Sequence, residues 1–257
     1  TNATDVSQVF RQPYYITAIK SFKDNEPHRL LNLKRDHSIG SIQNNANFNA
    51  YFLEEDFAGY SSIKPRTYQD IIDVVGSVNE TLWRMLNVKY IIIDQPVTFP
   101  GLELKANQEK DYVFVNTNAL PRFYFVNKVE KLKGIDILNK IRNNEFDPKE
   151  KAFVDENIKV DTIDSTTTLK VEKYTDEKIV LSSQNNGSNF LFIGNTYLPG
   201  WKAKVNGIDT KIYKANYGFA GIVVPKGKNN IELSYAPESF FVTKYLALIF
   251  SSLTFIG

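Results

Sequence analysis

The sequence predicts an α+β domain followed by an all-β sandwich of the immunoglobulin-like or jelly-roll-like type. Helical periodicity occurs only in the first part of the chain, whereas short apolar runs separated by turn residues fill the rest. An apolar C-terminal stretch with a single charge follows the last of these runs. We therefore expect an α+β domain at 1–155, a β-sandwich at 156–238 and the start of a transmembrane helix at 239–257.

The first domain contains the clearest helical pattern. In residues 66–87, apolar side chains such as Tyr68, Ile71 and Val75 recur at helical spacing until a break near Gly76. This pattern predicts two short helices. The run VKYIIID follows, and its β-branched residues predict a strand that is buried on both faces of a covered sheet.

The second domain shows the sequence pattern of an all-β fold. Apolar runs, from IKVDTID to NIELSYA, recur at a spacing of roughly eight to twelve residues. Asn186-Gly187 and Asn206-Gly207 lie between such runs, and each dipeptide favours the positive φ values of a tight hairpin turn. The runs KAKV and NIELSY alternate apolar and charged residues, as expected for strands with one solvated face.

The C-terminal stretch from residue 240 to residue 257 has Lys244 as its only charge. A helix of this length reaches roughly 27 Å, close to the ~30 Å hydrocarbon thickness of a bilayer. A helix docked on the domain is the alternative, but residues 245–250 offer no polar stripe. The pattern favours a truncated membrane span.

Composition limits the chemistry available to the chain. The 31 Lys and Arg residues nearly balance 29 Asp and Glu residues, which leaves no basic footprint for a nucleic-acid partner. Cysteine is absent from the sequence, so disulfides and thiolate ligands are excluded.

No metal site or cofactor is predicted. His28 and His37 lack a third nearby ligand and are interpreted as surface or capping residues. Motifs for dinucleotides, phosphate loops and nucleophile elbows are missing. The run Glu54-Glu55-Asp56 offers acid, base or cation-binding groups, although an exposed charged turn is the favoured interpretation.

Three segments resemble the C-terminal region of the YfhO family. They are LNVKYIIID, NALPRFYFVNKVE and YLPGWKAKVNGIDTKIYKANYGFAGIVVPKGKNNIELSYAPESF. The segment AYFLEEDFAGYSSIKPRTYQDIID also resembles an aromatic and Gly-Tyr pattern of that family, and its matching residues are Gly59, Tyr60, Lys64, Arg66, Tyr68, Gln69 and Asp70. The resemblance covers most of the chain. Members are large bacterial membrane proteins related to integral-membrane glycosyltransferases that use lipid-phosphate-linked sugars.

The resemblance implies that this chain is an extracytoplasmic portion of a protein in the bacterial cell membrane. The reaction centre is expected before residue 1, so the chain itself is expected to be non-catalytic. The implied partners are the bacterial cytoplasmic membrane and a lipid-linked sugar or cell-envelope polymer.

Candidate binding residues are aromatic or cationic. They are Tyr60, Lys64, Arg66, Tyr68, Tyr197, Trp201 and Tyr217. Lys64 and Arg66 are suited either to a lipid phosphate or to ion pairs with acidic residues on the following helix. Aromatic residues that flank the Asn206-Gly207 hairpin in sequence can stack on sugar rings, although core packing is the favoured role of Trp201.

An alternative function is a carbohydrate-binding or adhesion module anchored by a single C-terminal span. Upstream sequence separates the two hypotheses, because many apolar segments favour the transferase and one signal peptide favours the module. A soluble hydrolase is disfavoured, since the chain offers no credible nucleophile or acid/base pair.

Overall fold

The computed structural model describes residues 11–35, 47–57 and 65–237, together with residues 243, 247 and 251. These residues form mostly β-sheet with few helices, as the sequence predicts. The chain divides into two compact units, one with residues 1–123 and 138–148 and the other with residues 124–137 and 149–257. The boundary expected at residue 155 remains a prediction.

The first unit is built on a mixed four-stranded sheet with the order β1-β2-β4-β3. Strands β1 and β2 run parallel, whereas β4 is antiparallel to both of its neighbours. Its described elements are α1 (Tyr14–Ser21), β1 (Arg29–Asn32), a 3₁₀-helix (Phe48–Phe52), α2 (Arg66–Val75), α3 (Glu80–Met85), β2 (Val88–Ile93), β3 (Leu102–Gln108) and β4 (Asp111–Asn116).

Helix α1 covers the core of this unit. Its apolar residues Tyr15, Ile16 and Ile19 share one face and are almost fully buried. They pack in one cluster with Leu30 of β1 and Val113 of β4. The parallel pair β1 and β2 is therefore covered, and the predicted burial of β2 is confirmed.

The two helices predicted for residues 66–87 are confirmed as α2 and α3. Helix α2 ends before Gly76, whose φ of 83° is one that side-chain-bearing residues rarely adopt. Helix α3 begins after Asn79, whose side chain accepts a hydrogen bond of 2.8 Å from the backbone N–H of Leu82.

The second unit contains a six-stranded and a five-stranded sheet. Their orders are β5-β10-β14-β13-β7-β6 and β12-β11-β15-β9-β8. The strands are β5 (Phe123–Val126), β6 (Lys128–Lys131), β7 (Lys151–Val154), β8 (Thr168–Tyr174), β9 (Lys178–Asn185), β10 (Asn189–Thr196), β11 (Trp201–Val205), β12 (Ile208–Thr210), β13 (Ile212–Ala215), β14 (Phe219–Val224) and β15 (Gly227–Tyr235). A further helix, α4 (Ile135–Arg142), lies between β6 and β7 in sequence.

The two sheets of this unit face each other. Ile193 and Ala220 of the six-stranded sheet line the same small apolar cavity as Ile179 and Leu233 of the five-stranded sheet. Along β15, inward residues such as Leu233 alternate with more exposed ones. This is the arrangement of a β-sandwich.

One of the two predicted hairpins is confirmed and the other is wrong. Asn206 and Gly207 have φ values of 53° and 82°, and they join the antiparallel strands β11 and β12. At Asn186-Gly187, however, β9 lies in the five-stranded sheet and β10 in the six-stranded sheet. The connection crosses between sheets and does not form a hairpin.

A close contact explains the glycine in this crossing. A Cβ atom at Gly187 would lie 2.5 Å from a carboxylate oxygen of Asp161. That carboxylate accepts a hydrogen bond of 2.8 Å from the backbone N–H of Ser188, and the Asp161 N–H donates to the Ser188 carbonyl at 2.7 Å. Glycine therefore lets the two segments meet.

The first predicted strand of the sandwich, IKVDTID, is wrong, because residues 158–164 form no strand. Their backbone groups bond to loops and side chains instead of a neighbouring strand. The Ile163 N–H donates to Asn127 Oδ1 at 3.1 Å, and the Thr162 carbonyl accepts from Asn186 Nδ2 at 2.9 Å. These bonds satisfy the backbone groups that a ladder would otherwise use.

In the part of the chain that the structure describes, no helix has the length and apolar character needed to cross a bilayer. The candidate span at 239–257 lies outside the described residues except at 243, 247 and 251, and it stays a prediction.

Candidate functional site

The start of α2 carries two of the predicted binding residues. Arg66 is the first residue of the helix, and its side chain is 92% exposed. Its guanidinium lies 3.8 Å from the carboxylate of Asp70, one turn further on. Such an exposed pair contributes less than ~1 kcal/mol, so Arg66 can exchange this contact for an anionic ligand at little cost.

Tyr68 anchors this helix start. Its side chain is half-buried, and its hydroxyl donates a hydrogen bond of 3.2 Å to the carbonyl of Phe57. Tyr68 therefore joins α2 to the segment at 54–57, while Arg66 points into solvent. The predicted residues Tyr60 and Lys64 lie outside the described residues.

The carboxylates of Glu54, Glu55 and Asp56 each contact a different partner. His28 Nε2 lies 3.2 Å from Glu54, Arg122 donates to Glu55 at 2.8 Å, and Asn49 Nδ2 donates to Asp56 at 2.7 Å. The Glu54 side chain is only 10% exposed. The interpretation of this run as an exposed charged turn is therefore wrong for Glu54, whereas the Glu55 side chain is 40% exposed.

The run is also fixed through its backbone to β1. The Leu30 N–H donates to the Glu55 carbonyl at 2.9 Å, and the Phe57 N–H donates to the Leu30 carbonyl at 2.8 Å. These bonds place residues 54–57 beside the sheet, immediately before the predicted residue Tyr60 in sequence. Backbone hydrogen bonds thus hold residues 54–57 at the edge of β1.

His28 lies between two carboxylates, so its interpretation as a surface residue is wrong. Its side chain is 14% exposed, and Nδ1 is 3.7 Å from Asp24. Burial lowers the pKa of His28, but the hydrogen bonds to Glu54 and the Glu26 carbonyl, together with the charges of Glu54 and Asp24, outweigh burial and set the pKa above its ordinary value. His37 lies outside the described residues.

Asp24 completes this group of charges. It pairs with Lys89 and accepts a hydrogen bond of 3.1 Å from the hydroxyl of Tyr90. Although burial raises the pKa of Asp24, the hydrogen bond from Lys89 and neighbouring bonds hold it below the ordinary value. The Tyr90 ring packs edge-on against His28, with ring centres 4.9 Å apart.

The pKa of Asp56 is shifted in the direction opposite to that of Asp24. Burial raises the pKa of Asp56 to about 8, and the hydrogen bond from Asn49 offsets only part of this shift. The carboxyl group is therefore mainly protonated at neutral pH. Among the described residues, no group of His, Asp and Glu has an arrangement that would hold a metal ion.

The aromatic candidates lie at one end of the sandwich. The Tyr197 N–H donates to the Gly218 carbonyl at 2.8 Å, which brings Tyr197 next to the turn that contains Tyr217. Trp201 of β11 is paired with Tyr235 of β15, and the centres of their rings lie 5.5 Å apart. The structure thus gathers Tyr197, Trp201 and Tyr217 around neighbouring turns.

Trp201 combines core packing with partial exposure. Its half-buried side chain lines the apolar cavity between the sheets, together with Ile193 and Leu233. The cavity volume is about 20 Å³, room for one water molecule and far too little for a sugar ring. Any ligand of Trp201 must therefore contact its outer edge.

Comparison with known proteins places these features in a family context. A family model described as "Bacterial membrane protein YfhO" matches residues 100–247. The "Uncharacterized protein YfhO" of Bacillus subtilis (strain 168) is 32% identical over 84 residues, which are 32% of this chain. The chain matches 10% of the length of that relative. No solved structure matches the chain.

Proposed function

Because the chain belongs to the YfhO family of bacterial membrane proteins, we propose that it is a non-catalytic, extracytoplasmic portion of a many-helix membrane protein. The whole protein is proposed to be a glycosyltransferase that uses lipid-linked sugars in the cell envelope. In this proposal the reacting groups lie in other parts of that protein, and the present chain assists binding of the donor or acceptor.

The exposed guanidinium of Arg66 carries this proposal. A lipid-linked sugar presents phosphate, and Arg recognises phosphate through paired, charge-assisted hydrogen bonds. The Tyr68 hydroxyl holds the start of the helix that carries Arg66, so the backbone that presents the cation has a defined position. Lys64 and Tyr60 precede Arg66 by two and six residues in sequence, and they are proposed to contact the same ligand.

The test is transfer activity of the complete protein in membrane vesicles supplied with a lipid-linked sugar donor. Arg66→Ala should raise the KM for the donor about ten-fold, the equivalent of one charge-assisted hydrogen bond. Lys64→Ala combined with Arg66→Ala should have the larger effect. The unfolding midpoint should barely change, because the pair with Asp70 is exposed.

Arg142→Ala is the matched control, because Arg142 is also an exposed arginine of the first unit. It should leave the KM for the donor unchanged. Equal effects of Arg66→Ala and Arg142→Ala would contradict a specific phosphate contact, and a large loss of thermal stability in Arg66→Ala would make Arg66 structural.

The second candidate function is a carbohydrate-binding or adhesion module with one membrane span. The partial exposure of Tyr197, at 38%, and of Trp201 beside it favours this alternative. The complete reading frame separates the two functions, because a single-span protein would show only a signal peptide and one further apolar segment. Binding of envelope glycans without any transferase activity would also favour the module.

A further inference from the structure

The aromatic end of the sandwich lies next to the last residue of the continuous described chain. Tyr197 and Tyr235 are each 38% exposed, and the half-buried Trp201 packs against Tyr235 with ring centres 5.5 Å apart. Pro237 follows Tyr235 by two residues. Aromatic rings and the chain exit thus share one end of the second unit.

Pro237 is packed firmly against this end. The Ala236 N–H donates to the Gly200 carbonyl at 2.8 Å. A Cβ atom at Gly200 would lie 2.9 Å from Pro237, so the two backbones are already in close contact. The turn that leads into Trp201 and the exit at Pro237 are therefore held together.

The distance from this exit to the proposed membrane span is short. The inference rests on the proposed function, which has the chain enter the bilayer from about residue 239. From Pro237 to Phe240 the chain reaches at most ~11 Å when fully extended. Each headgroup layer of a bilayer is roughly 5–8 Å thick. The aromatic end consequently lies within or directly above that layer.

Charges near this end have mixed sign. Asp176, Glu177, Lys178 and Lys202 are exposed there, and the Glu177 carbonyl accepts a hydrogen bond of 2.9 Å from the Tyr235 N–H. Lys214 is also exposed at this end and lies 5.0 Å over the Tyr217 ring. Because acidic and basic side chains stand side by side here, the proposed lipid contact relies on the aromatic rings.

We propose that Tyr197, Trp201 and Tyr235 form an interfacial anchor that inserts into the headgroup layer. Trp and Tyr concentrate at this depth because their rings are apolar while their N–H and O–H groups stay hydrated. The anchor fixes how close the sandwich stands to the bilayer. The partner is the lipid surface itself, of either zwitterionic or anionic composition.

The test uses the 257-residue chain reconstituted in phosphatidylcholine vesicles, with tryptophan fluorescence quenched by brominated lipids. The sequence has two tryptophans, Trp83 and Trp201, so Trp83→Phe leaves Trp201 as the sole emitter. Bromines near the headgroup end of the acyl chains should reduce Trp201 emission more than bromines near the chain ends. High salt should leave this quenching unchanged.

Ile208→Trp, made together with Trp83→Phe and Trp201→Phe, is the matched control. Ile208 is 72% exposed and lies at the far end of β11 and β12, ~14 Å along the strand from Trp201. Its emission should be quenched much less than that of Trp201. Equal quenching of the two positions would overturn the anchor.

Leu248→Trp in the same background reports the proposed span separately. Quenching of Leu248→Trp by deep bromines without quenching of Trp201 would overturn the anchor while the span stands. No quenching at either position would overturn the span and the anchor together. Trp201 emission that responds to soluble oligosaccharides and not to lipid would replace the anchor with a carbohydrate surface.

Discussion

Asp56 should make the first unit less stable as the pH rises. Its folded pKa is about 8, whereas an unfolded aspartate titrates near 3.9. Between these two pKa values the folded chain keeps a proton that the unfolded chain releases. The contribution of Asp56 to the free energy of unfolding is therefore fully present below about pH 4 and is lost as the pH rises through about 8. At about 1.4 kcal/mol per pH unit, the loss from pH 5 to pH 8 is at most ~4 kcal/mol.

The substitution Asp56→Asn removes this titration and keeps an oxygen that accepts the hydrogen bond from Asn49. The free energy of unfolding should therefore fall much less from pH 5 to pH 8 in the variant than in the unmodified chain. Urea titration at several pH values measures this difference. Trp83 reports on the first unit, because it is 3% exposed there and Trp201→Phe removes the other emitter.

The control variant is Asp209→Asn, whose parent side chain is 85% exposed. It should keep the pH dependence of the unmodified chain. The reasoning fails if Asp56→Asn shows the same pH dependence, because the carboxyl group would then titrate alike in the folded and unfolded states.

Two further substitutions test contacts in each unit. Burial lowers the pKa of His28, but its bonds to Glu54 and Glu26 and the nearby carboxylate charges together raise the pKa by more. The histidine therefore contributes most to stability below about pH 6.5 and less as pH rises through its folded pKa. His28→Gln should therefore destabilise the first unit more at pH 6 than at pH 8, and the opposite order in urea titrations would contradict the assignment. Gly187→Ala should cost ~1–3 kcal/mol, followed by Trp201 fluorescence, because its methyl group meets Asp161. In an Asp161→Gly background the cost of Gly187→Ala should shrink, whereas an unchanged cost would place the strain elsewhere.

Local patterns predicted those parts of the fold that local forces determine. Strand β2 is recognisable because its β-branched run has no polar alternation. The hairpin at Asn206-Gly207 is recognisable because Asn and Gly tolerate positive φ, and both residues have positive φ in the structure. The same dipeptide misleads at Asn186-Gly187, where β9 and β10 belong to different sheets and the next residue, Ser188, bonds to Asp161, 27 residues away.

In the candidate site, too, the features set by local sequence could be predicted and those set by distant residues could not. The place of Arg66 in the first turn of α2 could be predicted, because residues 66–87 show helical spacing. The partners of Glu54, Asp56 and Glu55 could not be predicted, because His28, Asn49 and Arg122 are 26, 7 and 67 residues away from them. No periodicity or motif marks these partners.

The six-stranded sheet limits how the second unit can be produced alone. A polypeptide starting at residue 156 would contain β10, β14 and β13 of that sheet but lack β5, β7 and β6. Strands β10 and β13 would then present open edges, which recruit strands of other molecules and promote aggregation. A soluble version of the sandwich must begin before β5, so that β10 and β13 pair with β5 and β7 of the same chain.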